Sequence, residues 1–216
     1  MNVLAVGAHR DDIELGCGGT LARLAREGHR IYGVTLTNSE THDDLQGLHR
    51  TAATAREEAA RAAEVLGLTL LELDEAGRDN GALAYDVKLM RALERVIAER
   101  QISLVFSHWR HDLNTDHEAA AQMTIVAARH VPSVLMYRSN WYPSGAAPFN
   151  GTVLVDVSDV MELKRKSLAC YEGEIRNRGA AWIETFVERE RIAGFSLKRP
   201  YAEAFEPVKV ELFPRS

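Results

Sequence analysis

Short apolar runs rich in β-branched residues alternate with stretches of helical periodicity from the first residues onward, and no other feature limits the fold so tightly. Val3 to Val6, Ile31 to Thr37, Leu68 to Leu73, Ile102 to Phe106 and Val134 to Tyr137 read as strands. Between them, Thr51 to Leu66 is alanine-rich and stops at Gly67, a residue suited to a left-handed helix end. In Asp86 to Arg100, Leu89, Met90, Leu93, Val96 and Ile97 recur on one helix face, and Asp116 to Arg129 carries Ala119, Ala120, Met123, Val126 and Ala127 in the same way. Strands separated by helices predict a mostly parallel sheet covered on both faces, a Rossmann-like three-layer α/β fold. The 216 residues suit a single domain, 1–216.

Past Val134 the pattern changes. Asn140 to Phe149 is a loop rich in Pro, Gly and Ser, followed by a strand over Thr152 to Val155 and a helix from about Asp159. A further helix spans Ala180 to Ala193, and Tyr201 to Phe205 reads as a short terminal strand or turn. This C-terminal β/α extension is expected to pack on the sheet, walling a pocket or making subunit contacts. Trp141, Tyr142 and Phe149 either line a sugar site or fill a satellite core.

Ligands of open α/β sheets bind at the carboxyl ends of strands. The loop there after the first strand reads AHRDDIELGCGG, Ala8 to Gly19. His9 and Asp12, three residues apart, are placed to aim at one cation, which leaves Asp11 pointing elsewhere nearby. Catalytic zinc commonly takes three protein ligands, so a third is expected from far along the chain. Gly16, Gly18 and Gly19 lack the GxGxxG spacing of a dinucleotide site and suit tight turning and close helix packing instead. Glu14 is expected to cap or orient the loop.

The loop after the fourth strand, SHWRHDLNTDH over Ser107 to His117, supplies candidates for that ligand. His117 opens the following helix with Asp116 beside it as a cap or orienting partner; His111 and His108 are the alternatives. The two loops face each other only if the first and fourth strands are neighbours. The polar stretches Asn38 to Gly47, containing His42, and Asp79 to Gly81 lie at the same edge and read as solvated loops or substrate contacts.

Net charge is −5, with both signs dispersed, which disfavours a nucleic-acid partner. Two cysteines in a chain this large, and a start, MNVLAVGAHRDD, that reaches charged residues early, predict a cytoplasmic protein without a signal peptide. No apolar run is long enough for a membrane span.

Together the loops AHRDDIELGCGG and HDLNTDH, the REEA-type helix within Thr54 to Ala59 and the late YAEAF element resemble the PIG-L/LmbE-like family of zinc-dependent N-deacetylases. The resemblance implies His9, Asp12 and His117 as metal ligands, Asp11 as general base, Zn²⁺ as cofactor with Fe²⁺ or another divalent ion as alternatives, and an amino-sugar conjugate as substrate. It also implies a homo-oligomer, a trimer or hexamer, by analogy alone. Two positions depart from the family pattern. Arg10 replaces the usual proline, and Asn114 stands where many members carry a histidine held to protonate the leaving amine or steady the oxyanion. An amide donates a hydrogen bond but no proton at neutral pH. Asp11 is therefore expected to return the proton it gains, with His111 the second choice, and Asn114 to donate to the oxyanion. Arg56, Asp79 and Arg10 are the candidate substrate contacts, and Arg56 is equally a solvated helix residue. The alternatives are a metal-holding protein that binds such conjugates without hydrolysing them, and a plain nucleotide-binding domain.

Overall fold

A computed structural model of the chain describes residues 1–43, 47–142, 147–179 and 181–211. The strands are β1 (Asn2–Gly7), β2 (Arg30–Thr35), β3 (Thr41–Asp43), β4 (Leu48–Arg50), β5 (Thr69–Leu71), β6 (Ile102–His108), β7 (Ser133–Tyr137), β8 (Val153–Asp156) and β9 (Ala202–Lys209). The helices are α1 (Asp12–Arg26), α2 (Ala52–Leu66), α3 (Val87–Glu99), α4 (Thr115–Ala127), α5 (Met161–Ala169), α6 (Glu172–Arg178) and α7 (Ala181–Ser196). Seven strands form one sheet in the order β5-β2-β1-β6-β7-β9-β8. The first five are parallel, while β9 runs antiparallel to both of its neighbours.

The expected α/β architecture is the observed one. The chain leaves β1 toward β2 on one side and returns to pair β6 on the other, so β1 and β6 flank the point where strand order reverses. Buried aliphatic residues of β1 serve both layers: Leu4 and Val6 pack with Leu89, Leu93 and Met123 of α3 and α4, whereas Val3 and Ala5 pack with Ile13, Cys17 and Leu21 of α1. Gly67 takes the left-handed conformation (φ 74°) and ends α2 as its position predicts.

The C-terminal third packs on the sheet as expected, with Met161 and Val187 in one core with Phe106, Leu135 and Tyr137. It also extends the sheet, because β9 runs past the predicted Tyr201 to Phe205 on to Lys209 and inserts between β7 and β8. Its inward Glu203 accepts from the backbone N–H groups of Gly19 (2.8 Å) and Thr20 (2.7 Å) and from Lys164 Nζ (2.6 Å). Lys164 is fully buried and also binds Glu190 and the Leu15 carbonyl. The glycines of α1 make this approach fit. A Cβ on Gly16 would stand 2.0 Å from the Tyr137 ring, and one on Gly19 3.0 Å from Val157. Within Asn38 to Gly47, Thr41–Asp43 pairs with Leu48–Arg50 as a hairpin. Residues 44–46 of that stretch, 143–146 of the Asn140 to Phe149 loop and 180 of the last helix lie outside the described residues.

Candidate metal and catalytic centre

The loops leaving β1 and β6 meet, since these strands pair directly. Asp12 sits in the first turn of α1 and His117 in the first turn of α4. One donor atom from each of His9, Asp12 and His117 lies within 4.8 Å of the other two, the grouping expected of three ligands to one cation. His9 Nδ1 is 3.2 Å from His117 Nε2 and 3.2 Å from Asp12 Oδ2, and His117 Nε2 is 3.3 Å from Asp12 Oδ1.

The opposite ring nitrogens are held by carboxylates. His9 Nε2 meets Asp116 Oδ2 at 3.0 Å, and His117 Nδ1 meets Asp112 Oδ2 at 3.2 Å. Asp116 is itself fixed by the N–H groups of Gly81 (2.6 Å) and Leu83 (3.0 Å). Asn140 Nδ2 donates to both oxygens of Asp112, at 2.7 and 2.9 Å. Imidazoles anchored by carboxylates on one nitrogen present the other as a donor, which is how protein metal sites orient histidines. The donor set therefore fits a divalent metal such as zinc or Fe²⁺.

Electrostatics agree. Burial works against the charged forms, yet His117 holds Asp12 well below the carboxylate range. Against the same burial, Asp116 and Asp12 lift His9 to about 9, and Asp12 and Asp112 lift His117 to about 10. The facing nitrogens stand 3.2 Å apart, so at most one of those two carries a proton.

Asp11 lines the cleft and is buried, and its side chain does not cap α1, although it occupies the cap position. Its backbone (φ 155°, ψ −23°) is unusual for a residue other than glycine. Burial first, then the charges of Asp12 and Glu174, push its carboxyl well above the usual range, with Arg50 and His9 opposing.

The other predicted site residues divide. Asn114 caps α4: its Oδ1 accepts from the N–H groups of Asp116 (2.9 Å) and His117 (3.3 Å), which leaves its amide nitrogen for the cleft it lines. Asp116 serves as an orienting partner, for His9, and the cap is Asn114. His108 Nε2 is occupied by the Ala8 N–H (2.9 Å), and burial and His117 lower its pKa to about 4, so it is a neutral framework residue. His111 is exposed, stands edge-on to Trp109 and does not line the cleft. Arg10 is buried and binds both oxygens of Glu72 at 3.0 Å, so its charge is held away from the cleft. Arg56 is a solvated helix residue within 4.0 Å of Glu72, and Asp79 accepts from Asn38 at the surface. The adjacent Asn80 and Gly81 line the cleft instead.

The cleft, about 510 Å³, also receives residues the sequence did not single out. Arg50 enters from β4, buried between Glu58 (3.0 Å) and Glu174 (2.7 Å), while Glu174 and Arg178 come from α6 and Trp182 from α7. Trp141 and Tyr142 line it as the sugar-site alternative foresees, whereas Phe149 packs edge-on to Trp109 elsewhere.

Comparison with known proteins agrees with this geometry. Residues 4–128 match the family model PIG-L, GlcNAc-PI de-N-acetylase. YaiS of Escherichia coli (strain K12), an uncharacterized deacetylase, is 37% identical over 149 residues, covering 64% of this chain and 75% of that protein. The diacetylchitobiose deacetylase of Thermococcus kodakarensis is 26% identical over 189 residues, covering 80% and 69%. Among solved structures, GalB, the 4-carboxy-2-hydroxymuconate hydratase of Pseudomonas putida KT2440, superposes with a TM-score of 0.80 over 100% of this chain and 99% of its own, at 22% identity. That likeness shows the fold alone, and it shows that the fold does not select the reaction. No helix among the described residues is long and apolar enough to cross a membrane.

Proposed function

Because the chain belongs to the PIG-L family of de-N-acetylases, we propose that it is a metal-dependent amide hydrolase that removes an N-acetyl group from an amino-sugar conjugate. The observation that carries this reading is the convergence of His9, Asp12 and His117 beside an acid, Asp11, that lies in the cleft without being one of the three. His9, Asp12 and His117 would hold the ion, zinc or another divalent metal, which when bound polarises a carbonyl and acidifies water.

Asp11 takes the proton from water as it attacks the amide carbonyl. Its environment favours keeping that proton, and with no histidine at position 114, Asp11 is the group that passes it to the departing amine. The Asn114 amide nitrogen donates to the developing oxyanion, a contact of a kind worth roughly 3 kcal/mol of barrier. Trp141, Tyr142 and Trp182 offer flat apolar faces and Asn80 and Arg50 polar groups, a wall suited to a sugar ring. In this reading the chain acts as one domain in the cytoplasm, as a homo-oligomer.

Acetate release from N,N'-diacetylchitobiose and N-acetylglucosamine, measured with and without chelator, tests the reading. Release that stops with chelator and returns with added zinc upholds it. Release unaffected by metal removal contradicts it, and so does addition of water to an unsaturated acid with no release from any amide.

A further inference from the structure

The cleft that holds the His9, Asp12 and His117 group has an apolar mouth. Leu113, between β6 and α4, and Trp141 and Tyr142, after β7, line it while 62%, 44% and 48% exposed. Exposed apolar side chains scattered singly need no explanation, but a group of them at one cleft marks a surface that a ligand covers. Their backbone is held in place. Asp112 accepts from the Asn114 N–H (2.9 Å) and from Asn140 Nδ2 (2.7 and 2.9 Å), and Asn140 Oδ1 accepts from the Tyr142 N–H (3.1 Å). Both chain neighbours of Leu113 and both of Trp141 thus belong to one hydrogen-bond network. The same Asp112 meets His117 Nδ1 at 3.2 Å, so the apolar mouth is built onto the support of a candidate metal ligand. Trp141 also packs on the Phe186 ring, with centroids 4.6 Å apart, and Phe186 and Trp182 line the cleft from buried positions.

Charge in the cleft argues in the same direction. The two guanidiniums that line it are both paired: Arg50 lies between Glu58 (3.0 Å) and Glu174 (2.7 Å), and Arg178 Nε donates to Glu174 (2.7 Å). Four carboxylates, Asp11, Asp12, Asp116 and Glu174, line the cleft with them. Neither guanidinium stands unpaired to meet a phosphate or carboxylate on the distal part of a substrate, and an anion there would face acids rather than a counter-charge. An uncharged apolar group has no such conflict, and covering the exposed faces of Leu113, Trp141 and Tyr142 removes apolar surface from water.

We propose that the substrate is a conjugate with an uncharged apolar aglycone, aryl or alkyl, which Leu113, Trp141 and Tyr142 cover while the N-acetyl sugar lies at the metal centre. The sugar and its amide rest on the hydrolase reading; the apolar mouth does not. The test is calorimetric binding of the methyl and phenyl glycosides of N-acetylglucosamine, in both anomers, and of N-acetylglucosamine 1-phosphate. Binding is measured on the zinc-loaded Asp11→Asn protein, in which turnover is slow, with and without Leu113→Ser, and acetate release is followed in parallel on wild type. Expected are a phenyl glycoside bound at least tenfold more tightly than the matching methyl glycoside, a fall of at least threefold in that ratio with Leu113→Ser, and a 1-phosphate bound no more tightly than the methyl glycoside. Equal affinities for phenyl and methyl glycosides, binding of neither, a preference for the 1-phosphate, or a ratio unchanged by Leu113→Ser would overturn the proposal. Leu113 is exposed, so its replacement leaves the core intact, and the ratio without that change decides the matter by itself. The affinities need no turnover. A phenyl preference with no acetate released from any compound would sink the hydrolase and leave the aglycone site, whereas acetate released with no phenyl preference would do the reverse.

Discussion

His9 Nδ1 and His117 Nε2 stand 3.2 Å apart although 108 residues separate them in the chain. Two imidazole nitrogens this close repel unless a proton or a cation lies between them. Carboxylates behind both rings, Asp116 and Asp112, fix that approach. The first prediction concerns those supports. Asp112→Asn should lower zinc affinity by about 10- to 100-fold while the fold persists, as measured by competition with a chromophoric chelator. Unchanged affinity would mean that Asp112 does not set the His117 ring.

Metal binding should depend on pH in a defined direction. The shared proton of the His9 and His117 pair is held well above the usual imidazole range, up to about 9 at His9 and about 10 at His117. An incoming cation must displace it, so log affinity should rise by about one for each pH unit between 6 and 8, with about one proton released. Calorimetry in buffers of differing ionisation enthalpy counts that proton. A pH-independent affinity across this range would contradict the arrangement.

Gly16→Ala should unfold the protein far more readily than a typical helix glycine replacement. The new methyl would meet the Tyr137 ring, which is fully buried and hydrogen-bonded from its hydroxyl to the Val6 carbonyl (2.8 Å). Overpacking of this kind costs about 3 kcal/mol, a fall in Tm of roughly 6–12 °C for a chain this long. A stabilised variant, as helix propensity alone would give, would show that the contact relaxes at little cost.

Lys164→Met should strip two buried carboxylates, Glu190 and Glu203, of their counter-charge and destabilise the protein by about 3–5 kcal/mol at neutral pH. The sign of its pH dependence follows. Burial already raises the Glu190 pKa, and removing the lysine raises it further. A carboxyl with a raised folded-state pKa favours the fold below its unfolded value and loses that contribution as pH rises through the folded one. The gap to wild type in urea unfolding should thus be smaller at pH 5 than at pH 8. An equal gap would place the defect in packing rather than in charge.

Much of this was legible before any coordinates. Strand and helix signals gave the parallel half of the sheet, and the two histidine loops gave the candidate donors, His9 and Asp12 with His117, His111 or His108, because each follows a buried strand whose carboxyl end is the ligand edge. What escaped has a physical cause in each case. Helix α6, EGEIRNR, carries one aliphatic residue and so no apolar face to read, which hid Glu174 and Arg178. Strand β9 continues through Glu206 and Pro207, residues that break an apolar alternation, and its Glu203 is buried because two N–H groups of α1 and the Lys164 ammonium pair it. Arg10 and Asp79 are charges in suggestive loops whose partners, Glu72 and Asn38, are set by tertiary structure. Asn114 was the reverse case: an asparagine three before a helical histidine is a cap signal as well as a chemical one, and the cap determines which end of its amide is spent.

The division of labour between Asp11 and the His9, Asp12, His117 group is the centre of the account, and one paired measurement tests it. Metal content and acetate release should be determined together for wild type, Asp11→Asn and His117→Ala. Asp11→Asn should retain full metal and lose about 10²- to 10⁴-fold in turnover, whereas His117→Ala should lose metal and activity together. Near wild-type turnover in Asp11→Asn, or full metal content in His117→Ala, would contradict it.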